Sequence, residues 1–384
     1  LKALKWMFDK EAPLLFRPQL DWDQWRWGLK FLAQCNDTAF ERNVQQIVAL
    51  GAYSHAALKD LVASTGIEYN RLERGIAHFY TDQKSFDAAG HAVELMRKFG
   101  VQRRLVSRDE LLKIEPAFKA YGDKITGGTY TSTDESGDAR VFTQELARRC
   151  AARGAQFLYG HDVLRLNKIG DAIDSVAVIA RNTGAGGQKD FILKADAFVV
   201  ACGSYSAPLL RTVGVDLPIY PGKGYSATFP LLKPEGAPMV STIDDGKKIA
   251  MSRLGNVLRV AGTIELGGFD MSLDSPVARA RCHMLSRRIA EILPGVCDTR
   301  TPEEGGNPQY WTGLRPATPT NIPFIGQTRV GKLWVNAGHG TLGWTHGAGS
   351  GKAMAELLSG EVPAMNFGFL GVQAPRAVRG TVAA

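Results

Sequence analysis

Residues 333–345 read LWVNAGHGTLGWT, and this stretch decides the fold. A short apolar run, Lys332 to Ala337, predicts a buried strand, and Thr345 to Leu358 has the spacing of a helix that Gly360 and Pro363 end. A glycine-rich turn joins them. A strand, a tight turn and a helix in this order are typical of the crevice where an α/β sheet binds a ligand. The residues of the turn are Gly338, His339, Gly340, Thr341, Leu342 and Gly343.

The turn matches the GxGxxG pattern of dinucleotide-binding units, and three interpretations are open. It could hold a pyrophosphate, form a purely structural turn, or place backbone against another flat or anionic part of a cofactor. A nucleotide-binding unit needs a second strand and an acidic residue after the helix. Only a short Pro-containing tail follows Leu358, so we favour the third interpretation.

A second buried strand is predicted at Ala197 to Cys202, with a small-residue turn and a helix over 204–213 after it. Residues 217–264 differ, because their short strands are separated by turns, which predicts an antiparallel meander. The chain is therefore an α/β protein, with an antiparallel sheet inserted into a mixed pattern. Further helices are predicted over 40–64, 85–99, 141–153 and 275–293. A capping box at Ser107 predicts another, short helix that ends before Pro116. Further strands are predicted over 75–80, 127–132, 156–158, 161–166 and 175–181.

Composition excludes several classes of protein. The chain has 384 residues, enough for two domains, and its net charge of +8 is scattered rather than gathered into a nucleic-acid-binding stripe. No run approaches the roughly 18 apolar residues of a membrane span. The cysteines are five, far apart and without a CxxC pair, which favours a reducing compartment and argues against zinc.

Residues 1–35 contain four of the seven tryptophans, Trp6, Trp22, Trp25 and Trp27. We favour an aromatic-anchored pair of helices packed on the main body. The alternative is contact with a membrane interface, for which the balance of six basic against four acidic residues in the first thirty gives weak electrostatic support.

Arg315 lies between Leu314 and Pro316, just before a Pro-rich return into the sheet. Its planar guanidinium suits a carboxylate, because two parallel N–H groups match the two oxygens. The alternative is an ordinary salt-bridging arginine at the surface.

Taken together, four segments resemble the D-amino-acid-oxidase-like superfamily of FAD-dependent amine oxidoreductases, and within it the small subunits of bacterial D-amino-acid dehydrogenases. The segments are LKALKWMF (1–8), YPGKGYS (220–226), YWTGLRP (310–316) and the stretch 333–345. The resemblance spans nearly the whole chain, and the last two segments are far more specific than a bare GxGxxG.

The resemblance implies two interleaved domains. Residues 134–216 and 311–362 would form a Rossmann-like FAD domain of the glutathione-reductase type, and 36–133 and 217–310 an antiparallel substrate domain. Residues 1–35 and 363–384 would be a Trp-rich segment and a tail. The FAD would be bound non-covalently, with the turn 338–343 against the flavin ring and the N-terminus of the next helix at its pyrimidine edge. The adenine would contact Val163, and the nucleotide crevice would be lined by Ala201, Cys202 and Gly203.

Two catalytic residues are implied. Arg315 would bind the substrate carboxylate, and Tyr225 is a candidate for a second orienting hydroxyl, with a satisfied core tyrosine as the alternative. His339 could act as a base, although a structural role between glycines is favoured. Relatives tend to have Asp after the Thr-Pro pair, whereas Thr320 follows Thr318-Pro319 here.

The implied reaction is oxidative deamination of D-amino acids, D-alanine among them, by hydride transfer to flavin N5, which yields 2-oxo acids and ammonia. A respiratory quinone would accept the electrons, at the cytoplasmic face of the inner membrane. A related amine oxidase acting on glycine, sarcosine or proline-type substrates, and an inactive chain, are the alternatives. The family's N-terminal βαβ unit, which holds the FAD pyrophosphate, has no counterpart in this sequence, so we expect this chain alone to bind FAD weakly.

Overall fold

The computed structural model describes residues 13–181 and 190–372. Within these ranges the helices are α1 (Trp22–Ala33), α2 (Asp37–Thr65), α3 (Gln83–Lys98), α4 (Arg108–Ile114), α5 (Ala139–Ala152), α6 (Ser206–Arg211), α7 (Pro276–Ile292) and α8 (Gly343–Leu358). The strands are β1 (Leu14–Phe16), β2 (Ile76–Tyr80), β3 (Arg103–Ser107), β4 (Gly127–Thr131), β5 (His161–Ile169), β6 (Ala172–Ala180), β7 (Asp190–Lys194), β8 (Phe198–Val200), β9 (Tyr220–Pro230), β10 (Ser241–Asp244), β11 (Ile249–Leu254), β12 (Val257–Leu266), β13 (Gln309–Ala317), β14 (Phe324–Gln327) and β15 (Leu333–Ala337).

The main sheet has the order β13-β9-β12-β11-β10-β2-β4-β3, and β1 pairs with β12 from the side. Side chains alternate along each strand, so the sheet has two chemically different faces. One face carries Tyr225, Ala227 and Phe229, all within 1% of full burial, and packs on α7 and α4 to form the largest core. We call the other the polar face; on β9 and β13 it carries Gly222, Gly224, Ser226, Trp311, Gly313 and Arg315.

A smaller sheet has the order β14-β15-β8, in which β15 and β8 are parallel. Its core includes Val200, Leu333 and Val335. The sequence predicts that this β8 strand is buried on both faces, but Val199 is 41% exposed. A third sheet, β5-β6-β7, contains Val163 and is tied to the second one by a bridge between residues 172 and 331.

Helix α8 packs along α2 at very close range. The backbone N–H of Gly349 in α8 donates to Ser54 Oγ of α2 at 3.0 Å. A Cβ on Gly349 would lie 2.6 Å from Ser54 Cα, so only glycine allows this approach. The contact fixes the N-terminus of α8 relative to the rest of the chain.

Most predicted elements are present, with a few corrections. No strand occurs at 156–158, where Phe157 stacks on Tyr159 in an exposed loop. The helix predicted over 204–213 is a 3-10 turn followed by the short α6. The segment after Asn366 pairs with β14 through Leu370, as an extended arm would. The glycine-rich residues 184–187 and Trp6 lie outside the described residues.

The pairing of strands moves one proposed domain boundary. Strand β13 pairs with β9 along its whole length, so residues 311–317 lie in the main sheet rather than in the smaller sheets. The other bounds of the two interleaved domains stay predictions.

Tryptophan environments differ within the N-terminal segment. Trp27 is 8% exposed, and its indole N–H donates to Ala317 O at 2.8 Å, which anchors α1 on the end of β13 as the packed-helix interpretation expects. Trp22 and Trp25 remain 74% and 46% exposed. Among the helices of the described residues, none has the length and apolar character to cross a membrane. The same residues contain no cluster suited to a metal ion.

Candidate active site

The turn 338–343 depends on two glycines with left-handed backbone, Gly338 at φ 92° and Gly340 at φ 53°. A Cβ on Gly338 would lie 2.7 Å from Thr318 Cγ2, so the turn has no room for a side chain there. The N–H of Gly340 donates to Pro316 O at 2.9 Å. The turn is thereby attached to the end of β13, one residue beyond Arg315.

Helix α8 starts directly after this turn, and its N-terminus is uncapped. The residue at the cap position, Leu342, offers no side-chain acceptor to the first N–H groups. Such an end carries free donors and about half a positive charge. It suits an electron-rich carbonyl edge or an anion.

Two histidines beside the turn are neutral near pH 7. Burial lowers the pKa of both His339 and His346 to about 4, and for His339 the neighbouring His346 adds to the effect. His339 Nε2 lies 2.8 Å from Ser350 Oγ, so this side chain holds the turn against α8, as the structural interpretation of His339 expects.

A cavity of about 340 Å³, here called the α8 cavity, lies between the start of α8, helix α2 and the loops after α3 and β4. Three polar atoms of its lining are buried without a hydrogen-bond partner among the described residues, namely His55 Nε2, Glu135 Oε2 and His346 Nδ1. Buried polar atoms are normally paired with protein, a ligand or ordered water, so this part of the cavity can hydrogen-bond a bound molecule. Leu342 and Trp344 also line this cavity, so it extends to the N-terminus of α8.

Arg315 lies on the polar face, with its guanidinium above Gly224. A Cβ on Gly224 would be 2.7 Å from Arg315 Nε and 2.9 Å from Cζ, so the missing side chain makes the space. Within the described residues Arg315 forms no hydrogen bond or ion pair, and burial alone lowers its pKa. Because a partly buried cation without a partner is costly, this arrangement favours an anionic ligand over the salt-bridge alternative.

Tyr225 lies on the opposite face of the sheet. Its register partner on β13 is Thr312, whereas Arg315 pairs with Gly222, so the two side chains point to opposite sides. The hydroxyl of Tyr225 donates to Glu265 Oε2 at 2.6 Å, and the side chain is 1% exposed. Desolvation and this bond raise the pKa of Tyr225. The geometry corresponds to the core-tyrosine alternative and does not bring Tyr225 to Arg315.

The turn after β8 does reach the site. Ala201 and Cys202 are exposed at the end of the strand, and Gly203 has φ 55°. Ser204 Oγ then donates to Leu314 O at 3.3 Å, which ties this turn to the residue before Arg315. Val163 is 46% exposed on the third sheet, in a different sheet from the turn 338–343.

The departure at Thr320 has a local explanation. The hydroxyl of Thr320 accepts the N–H of Ile322 at 3.2 Å, and a Thr hydroxyl can accept the N–H two residues on as an Asp carboxylate does. Asn321 adopts the left-handed conformation at φ 59°. The turn that carries β13 towards β14 therefore closes without the acid.

Sequence reasoning missed two residues beside Arg315 on the polar face, Trp311 and Arg259. The period-2 alternation of 311, 313 and 315 would have placed Trp311 on the same face as Arg315. No signal in the sequence identified Arg259, since its strand was predicted only as part of the meander.

Comparisons with known proteins agree with this geometry. A family model described as FAD dependent oxidoreductase matches residues 15–357. A protein of Dechloromonas aromatica named D-amino acid dehydrogenase is 46% identical over 96% of this chain and 85% of its own length. One of Paramagnetospirillum magneticum with the same name is 40% identical, over 97% and 83%.

Among solved structures, glycine oxidase from Geobacillus kaustophilus has a TM-score of 0.69 at 23% identity, covering 84% of this chain and 81% of its own. L-proline dehydrogenase from P. horikoshii has a TM-score of 0.68 at 18% identity, covering 83% and 80%. These two show the fold alone. The uncapped N-terminus of α8, with its free N–H donors, suits the electron-rich ring edge of a flavin. The chain belongs to the DAO family of FAD-dependent oxidoreductases, as the family match and both relatives show.

Proposed function

We propose that this chain oxidises D-amino acids to 2-oxo acids and ammonia with non-covalently bound FAD. The single observation that carries the proposal is Arg315, a partly buried guanidinium without a partner among the described residues, next to the turn that leads into α8. The 46% identical relative named D-amino acid dehydrogenase supports the choice of substrate.

Arg315 binds the substrate carboxylate through two parallel N–H groups, which fixes the orientation of the Cα–H bond. FAD supplies the acceptor for the hydride. His339 is neutral at pH 7, because its pKa lies near 4. Arg315 is therefore not joined by a second positive charge from the turn 338–343. The imino acid released is hydrolysed by water to the 2-oxo acid and ammonia.

For the cofactor we propose the residues that the sequence indicates. The turn from Gly338 to Gly343 and the end of α8 would hold the flavin ring, and the exposed turn Ala201–Gly203 would line the nucleotide crevice. Val163 would meet the adenine from the edge of its sheet.

Arg315→Ala and Arg315→Lys test the role of this residue. We expect Arg315→Ala to raise the KM for D-alanine by about two orders of magnitude or more, because hydrogen bonds to charged groups contribute about 1.5–3 kcal/mol each. Arg315→Lys should recover part of the loss, since it restores charge but not the bidentate fork. Flavin content, measured by absorbance, is the control. An unchanged KM in a flavin-loaded Arg315→Ala variant would remove Arg315 from the site.

A panel of D- and L-amino acids, glycine, sarcosine and proline, assayed with a dye acceptor and with oxygen, separates the substrate classes. D-amino acids with the dye should react fastest. Faster turnover of glycine, sarcosine or proline would favour the related amine oxidases, and no turnover by the flavin-loaded protein would favour the inactive-chain alternative.

For electron transfer we propose a respiratory quinone and peripheral contact with the cytoplasmic face of a membrane. The support is an apolar stripe on α1 in which Trp22, Trp25, Leu29 and Leu32 follow helical spacing and are 46–74% exposed. The five cysteines, all unpaired, are compatible with a reducing compartment.

Flotation with anionic lipid vesicles tests this contact. Replacement of Trp22 and Leu29 by Ser should shift the protein from the vesicle fraction to the soluble fraction, while its turnover with a soluble dye stays the same. Replacement of the exposed Leu358 of α8 by Ser is the matched control. Equal flotation of all three proteins would contradict the proposal.

A further inference from the structure

Arg259 is a second arginine on the polar face of the main sheet. It lies on β12 opposite Thr228 of β9, and Thr228 belongs to the same face as Gly224 and Ser226. Its guanidinium stacks on the indole of Trp311, with Cζ 5.5 Å from the ring centroid. Nη2 donates to Ser226 Oγ at 3.1 Å. Arg259 thus leans along β9 towards the position of Arg315.

The two guanidinium groups converge. That of Arg315 lies above Gly224, and that of Arg259 is bonded to Ser226. Residues two apart on one strand point to the same face with Cα atoms about 7 Å apart. The head groups therefore face the same small area, although their own Cα atoms are separated by most of the length of β9.

Two facing glycines make room for the Arg315 and Trp311 side chains. Gly313 is the register partner of Gly224, so neither position places a side chain of its own between the strands. The indole of Trp311 occupies the space above Gly313, where a Cβ would be 2.3 Å from Cη2, as the Arg315 guanidinium occupies the space above Gly224. Trp311 is 57% exposed and forms the wall beside Arg259.

The charge of Arg259 is only partly compensated. Among the described residues no carboxylate lies within 4 Å of it, and the nearby carboxylate of Asp138 is engaged by the N–H groups of Arg140 and Val141 at the start of α5. One of the five N–H donors of Arg259 is used by Ser226. The remaining donors are available to a ligand.

Resting on the proposed function, we propose that Arg259 and Trp311 form the subsite for the substrate side chain, and that it favours side chains ending in a carboxylate. A D-amino acid held by Arg315 through its α-carboxylate would direct a two-carbon side chain along β9 towards Arg259. The end of a D-glutamate side chain then meets the guanidinium, and its methylene groups lie against the indole. A side chain ending in ammonium would meet repulsion instead.

The test compares D-glutamate with D-norvaline, which has a methyl group where D-glutamate has the carboxylate. In the holoenzyme, Arg259→Gln should lower the ratio of kcat/KM for D-glutamate to that for D-norvaline about tenfold, the effect of losing one charged hydrogen bond. Arg259→Lys should give a smaller loss, because the charge remains. Arg253→Gln is the matched control: Arg253 lies on β11 of the same sheet, on the other face, and its N–H groups bond to backbone carbonyls.

A binding measurement without turnover gives a second readout. Titration calorimetry should show that glutarate binds more tightly than butyrate, and that Arg259→Gln removes this difference while Arg253→Gln keeps it. An unchanged substrate ratio together with an unchanged glutarate preference in Arg259→Gln would overturn the subsite. If the flavin-loaded wild-type protein oxidises no D-amino acid at all, the proposed function fails instead, and glutarate binding still decides the subsite.

Discussion

Replacement of Gly224 by alanine should damage the site without removing any of its charged groups. The new Cβ would lie 2.7 Å from Arg315 Nε, whereas ordinary contacts begin near 3.4 Å, so the guanidinium must move by about 0.7 Å. Gly224 has no left-handed backbone, so the strand itself accepts alanine. Because misplacement by about 1 Å can cost about a hundredfold in rate, we expect kcat/KM for D-alanine to fall about ten- to a hundredfold.

Steady-state kinetics on the flavin-loaded protein measures this effect, and Gly222→Ala is the matched control. Gly222 lies on the same strand and face, but its Cβ would meet the flexible end of Ile264 at 2.5 Å and no atom of the Arg315 side chain. That variant should lose stability, by about 1–3 kcal/mol, and keep its kcat/KM. Equal kinetic effects of the two alanines would refute the argument that the space above Gly224 positions Arg315.

Three further predictions concern stability. His346 is 1% exposed, and its pKa of about 4 lies below the value of 6.5 in the unfolded chain. Its contribution to the free energy of unfolding is therefore fully present above pH 6.5 and is lost as the pH falls towards 4. The urea midpoint should fall over that range, and less steeply in His346→Asn. Trp27→Phe leaves Ala317 O without its donor and should lower the free energy of unfolding by about 1–3 kcal/mol, measured by urea titration; no change would contradict the anchoring role. Gly349→Ala forces α8 away from Ser54 and should lower Tm, whereas an unchanged Tm would mean that the helices repack freely.

Local signals in the sequence were sufficient for the elements and for the turn at the centre of the site. The hydroxyl of Ser107 accepts the N–H of Glu110, which is one half of the predicted capping box, while the Glu110 carboxylate bonds to Arg104 instead of the Ser107 N–H. The apolar run before Gly338 is the buried strand β15. Arg315 could be singled out because Leu314 and Pro316 restrict its backbone. Each of these features is determined by residues adjacent in the sequence, so it can be predicted from the sequence alone.

The choice between faces of the sheet could not be predicted, because it depends on register between distant strands. Tyr225 and Arg315 belong to different segments, and only the pairing of β9 with β13 shows that their side chains point to opposite faces. Arg259 and Trp311 meet across β9, although they are 52 positions apart in the sequence. The exposure of Val199 likewise depends on what packs on its face of the sheet, which the apolar run itself does not reveal.

The bond between Tyr225 and Glu265 has a consequence for how this protein can change. Glu265 also accepts Arg17 Nη1 at 2.9 Å, so it ties β9 and β12 to the chain before α1 from inside the core. A slip of β9 by one residue would turn Tyr225 outward and Gly224 inward, which reverses the two faces together. The core needs one face of β9 and the proposed site needs the other. We therefore expect substitutions that change substrate preference to occur at Trp311 and Arg259 more readily than within β9.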